Sequence, residues 1–180
     1  MNNSTASVPW FEKEKRVFKN PLNHHAYIFE GVEGIGKTVF TLEIAKGFLC
    51  NSLPGAEVCK QCQSCRLFDE LNHPDFYLIK PEEDKKQISI NQIRKLQEPL
   101  YQSSFLGSNK VFIINPVEKM SREASNSFLK NLEEPLDNSI FLLISHRYQT
   151  LPLTIKSRAI KVNMNQPDNE QIKAWLNLQT

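Results

Sequence analysis

The chain has 180 residues, 40% of them hydrophobic, with 22 Lys+Arg against 20 Asp+Glu and a formal net charge of +2. That near balance argues against a cationic nucleic-acid arm or a polyacidic tail, which are built on large single-sign blocks, and a composition with 6 Gly and 10 Pro argues against a disordered or fibrous chain. One domain, or one domain plus the start of another, is expected, with a core large enough to stand without disulfide staples.

In chain order, Val8-Pro9-Trp10-Phe11 supplies an aromatic anchor, and the charged run Glu12 to Arg16 reads as a short surface helix. From Ala26 onward, short apolar runs alternate with stretches of helical period. The runs are Ala26–Phe29, Phe76–Ile79, Val111–Ile114, Ile140–Ile144 and Ile160–Val162. The middle ones are apolar on successive residues, as strands covered on both faces must be, so an α/β fold with a parallel five-stranded sheet flanked by helices is expected. Ser89 with Gln92 forms a capping box ahead of a helix carrying Ile90, Ile93, Leu96 and Leu100. Ser121 caps a helix through Ala124, Phe128, Leu129 and Leu132, which Pro135 stops. Pro152 reads as the first residue of a short helix ending near Ser157, and Pro167-Asp168 opens an amphipathic segment with Ile172, Trp175 and Leu176. No run reaches the ~20 apolar residues of a membrane span, and Met1 to Thr5 lacks the layout of a secretion signal, so a cytoplasmic protein is expected.

Between the first apolar run and the helix through Phe40, Ile44 and Phe48 lies Gly31-Val32-Glu33-Gly34-Ile35-Gly36-Lys37-Thr38, which satisfies G-x-x-x-x-G-K-[ST]. Gly31, Gly34 and Gly36 let backbone N–H groups turn toward phosphate oxygens, Lys37 reaches the β and γ phosphates, and Thr38 offers a hydroxyl to Mg²⁺. ATP or ADP with Mg²⁺ is the expected ligand, against the alternative of a glycine-rich structural turn. Hydrolysis needs more: an acid at the end of a neighbouring strand and a group that positions water. The strand ending at Ile114 runs instead into Asn115-Pro116, and the next carboxylate is Glu118. Weak or absent hydrolysis is therefore expected. Trp10 and Phe11 are expected to pack near the nucleotide edge of the fold.

All four cysteines, Cys50, Cys59, Cys62 and Cys65, fall in C-x₈-C-x₂-C-x₂-C. Tight x₂ spacings bring three thiolates around one ion while a turn at Pro54 and Gly55 returns the fourth, a pattern suited to structural tetrahedral Zn²⁺ in a module over 50–65. A thioredoxin-like pair leaves two cysteines unexplained, and an iron–sulfur cluster is the other metal these ligands hold. His24, His25 and His73 read as packing or capping groups. Lys110, Lys119, Arg122 and Lys130 read as surface cations with a second reading as DNA-backbone contacts.

From about Trp10 to Arg158 the chain resembles the N-terminal ATPase-type portion of bacterial DNA polymerase III clamp-loader subunits, of the AAA+ class, and their delta-prime branch most. The likeness rests on the P-loop, the cysteines inserted after its helix, His25-Ala26-Tyr27-Ile28-Phe29, His73-Pro74-Asp75, the block from Asn126 through Leu132-Glu133-Glu134-Pro135, and Thr154-Ile155-Lys156-Ser157-Arg158. Catalytic subunits of the family carry Asp-Glu where this chain has Asn115-Pro116, which favours delta-prime over the gamma/tau ATPase; Ala159 replaces the cysteine of the family's Ser-Arg-Cys motif. The resemblance implies an AAA+ domain over 1–165 and the start of a helical lid over 166–180. It also implies a sensor role for Ser145 and an arginine finger, Arg158, offered to the nucleotide of a neighbouring subunit. The implied partners are gamma/tau and delta in a hetero-pentameric ring, with the sliding clamp and primer-template DNA reached through the complex. The alternative is a catalytically active gamma/tau-type subunit using Glu118.

Overall fold

The computed structural model describes residues 8–18, 24–52, 58–106 and 109–177; the Pro54-Gly55 turn and the first residues through Thr5 lie outside them. Five strands, β1 (Ala26–Glu30), β2 (Phe76–Ile79), β3 (Lys110–Ile114), β4 (Ser139–Ser145) and β5 (Ile160–Asn163), form one sheet in the order β2-β3-β4-β1-β5. Every pairing is parallel.

The apolar runs divide by the two-residue strand period. Ala26, Ile28, Phe112, Ile114, Phe141 and Leu143 enter one core, and Tyr27, Phe29, Val111, Ile113, Leu142 and Ile144 enter the other. The first is covered by α4 (Ile90–Arg94), α5 (Gln97–Tyr101), α6 (Arg122–Glu133) and α7 (Leu153–Lys156). The second is covered by α2 (Lys37–Leu49), by Phe68 of α3 (Gln63–Asp69), and by Val8 and Phe11 of the segment leading into α1 (Glu12–Val17). The ring of Phe112 lies between Tyr77 and Phe141, with centroids at 4.8 and 5.3 Å.

The expected caps are present. Ser89 and Gln92 complete a reciprocal capping box on α4, Ser121 accepts from Ala124 N on α6, and α6 ends ahead of Pro135. Ser89→Ala is expected to cost about 1 kcal/mol and to lower Tm by ~2–4 °C, read by thermal unfolding. The single helix expected from Ile90 to Leu100 is instead two. Pro99 has no N–H for the Lys95 carbonyl, so an unbroken helix loses a bond there; in the first turn of α5 that donor is not needed. Pro152 stands one position outside α7, as its N-cap. The last segment forms α8 (Asn169–Asn177), with Asp168 and Gln171 exchanging backbone-to-side-chain bonds.

Lys110 departs from expectation most. It is buried, and its ammonium donates to the carbonyls of Pro99, Leu100 and Gln102, satisfying the end of α5. Burial lowers its pKa, with Asp75 opposing. It is therefore a structural cation and faces no DNA; Lys119, Arg122 and Lys130 are surface residues.

Candidate phosphate site and cysteine centre

The P-loop joins the end of β1 to the start of α2, so it sits at the carboxyl ends of the parallel strands, where open α/β sheets bind ligands. Close packing explains two of its glycines. A Cβ on Gly31 would meet the Met164 carbonyl oxygen at 2.5 Å, and Gly36, at φ +93°, would put one 2.7 Å from Val8.

Lys37 is buried, and its ammonium donates to the carbonyls of Gly31 and Val32 at 2.7 and 2.5 Å. The cation thus lies inside the curl of the loop. Burial lowers its pKa, and the carboxylates of Glu118, Glu33 and Glu30 oppose that shift. Asn115, at the end of β3, donates from Nδ2 to the Thr38 hydroxyl at 3.1 Å. Ser145 closes β4 beside Glu30 of β1; it is fully buried, and its hydroxyl has no hydrogen-bond partner among the described residues. Lys37, Thr38, Asn115 and Ser145 therefore meet at one end of the sheet, as the sequence motifs require.

Sequence reasoning did not anticipate where Glu118 would face. Its Oε1 accepts from the backbone N–H groups of His146 and Arg147 at 2.8 and 3.1 Å, tying the segment after β3 to the segment after β4. His146 has its pKa lowered by burial and then by the Lys37 charge. The amino-terminal segment covers the loop as expected: Trp10 Nε1 donates to the Ile35 carbonyl at 2.9 Å. Its ring also meets Trp175 of α8 edge-on at 5.8 Å, a contact invisible to any local pattern.

Cys50, Cys59, Cys62 and Cys65 bring their sulfurs within 4.8 Å of one another. Cys50 to Cys59 is 3.5 Å and Cys59 to Cys65 is 3.9 Å, close to the roughly 3.8 Å edge of a tetrahedron with ~2.3 Å metal–sulfur bonds. Backbone N–H groups of Cys59, Cys62 and Cys65 point at the sulfurs of Cys50, Cys59 and Cys62. The donor set fits one metal ion with no open position. Burial alone raises the Cys50 thiol, but hydrogen bonds from Ser52 and Cys59 outweigh it and bring the pKa down to about 6. Burial pushes Cys65 up. The Lys46–Asp69 ion pair links α2 to α3 across the module. His73 meets the Ser64 hydroxyl at 2.8 Å and accepts from Asp75 N; His25 meets the Leu132 carbonyl at 3.0 Å.

Arg158 lies elsewhere. It follows α7 and precedes β5, whose first residue pairs with Tyr27 near the amino end of β1. The P-loop leaves the other end of that strand. Nη2 of Arg158 is 2.9 Å from Glu133, and Nη1 donates to the Thr154 carbonyl and the Ser157 hydroxyl.

The sequence model of the family described as DNA polymerase III, delta subunit, matches residues 10–168. DNA polymerase III subunit delta' of Pseudomonas aeruginosa is 38% identical over 152 residues, covering 84% of this chain and 46% of that protein. Its Bacillus subtilis counterpart is 40% identical over 134 residues, covering 74% and 40%. The chain spans about half the length of these curated relatives. Among solved structures, a DNA polymerase III gamma subunit-related protein of Thermotoga maritima superposes with a TM-score of 0.58 at 25% identity, covering 89% of this chain and 47% of that one. The RuvB Holliday junction branch migration motor of the same organism shares the fold, with a TM-score of 0.52 at 11% identity over 94% of this chain and 47% of that one.

Proposed function

The chain belongs to the family of bacterial DNA polymerase III delta subunits, and from that membership we propose that it acts as a delta-prime subunit of the replicative clamp loader. In this reading it stands in a hetero-pentameric ring with gamma/tau and delta subunits, in the cytoplasm, and acts on the sliding clamp and primer-template DNA through the complex. Residues 1–165 form its AAA+ domain, and α8 opens a helical lid from 166 onward. The four cysteines hold structural Zn²⁺. Gly31, Gly34, Gly36, Lys37, Thr38 and Ser145 bind ATP or ADP, with little or no hydrolysis. Arg158 serves the nucleotide of the neighbouring subunit.

The carrying observation is the placement of Arg158. It lies toward the amino end of β1 and β5 while its own P-loop leaves the carboxyl end, about four residues or ~13 Å of strand away. A guanidinium there is remote from its own P-loop, which supports its assignment to a phosphate bound by another chain. The catalytic gamma/tau-type reading draws on the likeness to the gamma subunit-related structure. It requires Glu118 to replace the missing acid; the Oε1 of Glu118 is held by two backbone N–H groups, and its Oε2 is buried without a hydrogen-bond partner among the described residues.

ATP titration with phosphate release followed on the same sample separates the two. Binding without turnover is expected, with Lys37→Ala weakening binding by about tenfold or more through loss of a charge-assisted contact. Steady turnover that Lys37→Ala abolishes would establish the gamma/tau-type reading instead.

A further inference from the structure

In hydrolytic P-loop proteins, Mg²⁺ is shared between the loop's Ser/Thr hydroxyl and a strand-end carboxylate. The ion is small, demands oxygen ligands and gives up its water reluctantly, so it is held where negative charge repays dehydration. At the end of β3, where that carboxylate would stand, this chain has the neutral Asn115 and Pro116. The Thr38 hydroxyl oxygen accepts from the Asn115 amide at 3.1 Å, so a neutral donor, not a carboxylate, stands beside one of its two lone pairs. Asparagine is neutral in either amide orientation. Pro116 has no polar side-chain atom, and Glu118, the remaining carboxylate, has its Oε1 held by the N–H groups of His146 and Arg147, while its buried Oε2 has no hydrogen-bond partner among the described residues and faces the Lys37 charge.

Positive charge for the phosphates is present without a metal. Lys37 lies within the loop, and α2, 13 residues long, presents the unpaired N–H groups of its first turn beside it. Resting on the nucleotide-binding reading above, we propose that this P-loop binds ATP or ADP without a divalent cation, Lys37 and the start of α2 supplying the charge and the Asn115 amide standing where the metal ligand would be. On binding, the ammonium of Lys37 exchanges the Gly31 and Val32 carbonyls for phosphate oxygens.

The test is calorimetric titration of ATP and of ADP into the whole chain, once with excess EDTA and once with excess Mg²⁺. Affinity in EDTA is expected to equal that in Mg²⁺ within about threefold, or to exceed it. Binding tightened by Mg²⁺ beyond that range overturns the inference while leaving nucleotide binding in place. Absence of binding in both conditions overturns the nucleotide reading together with it. Asn115→Asp is expected to reverse the preference to about tenfold or more in favour of Mg²⁺, since the new carboxylate attracts the metal and repels bare phosphate. A folded Asn115→Asp protein with an unchanged ratio would show that Asn115 is not the determinant. The wild-type titrations decide the cation requirement even if this variant does not fold.

Discussion

Arg158→Ala is expected to lower the DNA-stimulated ATP turnover of a clamp loader assembled with this subunit by about 10³-fold or more at the site it serves. Arginine is permanently charged, and its fork matches phosphate oxygens, so a finger supplied from a neighbouring chain stabilises charge that develops in the transition state. In the free chain, Glu133, Thr154 and Ser157 hold the guanidinium where about a third of the side chain remains exposed. Such an exposed pair is worth ~0–1 kcal/mol. The arginine can therefore leave these partners cheaply, and the variant should fold and assemble as the wild type does. Arg158→Lys retains charge without the fork and is expected to recover little of the rate. Steady-state phosphate release from the assembled complex checks this, with gel filtration confirming assembly; unchanged turnover in the alanine variant would remove the finger role.

Metal removal is expected to have the second large effect. An ion that binds only the folded state stabilises it by about 4 kcal/mol once its free concentration exceeds its dissociation constant a thousandfold, or ~8–16 °C in Tm for a domain of this size. The loss should propagate because the module is not peripheral. Cys50 follows α2 directly, Cys62 caps α3 by accepting from Cys65 N, and Phe68 of α3 enters one of the two cores. Cys59→Ser should reproduce the effect of a chelator. Elemental analysis should find one zinc per chain in the wild type and less in the variant. Equal melting temperatures with and without chelator would show that the cluster contributes nothing to folding.

The elements readable from sequence are those whose cause is local. Five apolar runs became five strands: the central three, β1, β3 and β4, are covered on both faces and so are apolar on successive residues, while β2 and β5 are shorter edge strands with exposed positions, and Ser89, Ser121 and Pro135 act within one helical turn. The helix from Ile90 was misread because the apolar spacing continues through Pro99 while the hydrogen-bond ladder does not. Lys110 was misread for a different reason. Its burial depends on the carbonyls of Pro99, Leu100 and Gln102 converging on it, and charge in a sequence reads by default as surface.

The sequence by itself determined the candidate ligand sets and the order of the strands along the chain: which cysteines form a set, which loop carries the phosphate motif, and that the strand ending at Ile114 runs into Asn115-Pro116 with no acid there. These are properties of residue identity and short spacing, and folding does not alter them. Only the tertiary structure decided what faces what: Asn115 on Thr38, Glu118 on the start of the segment after β4, Trp10 on the P-loop and Trp175, and Arg158 toward the opposite end of the sheet from its own P-loop. Those pairings join residues far apart in the chain, and their geometry follows from parallel strand register and helix packing, which no local pattern encodes.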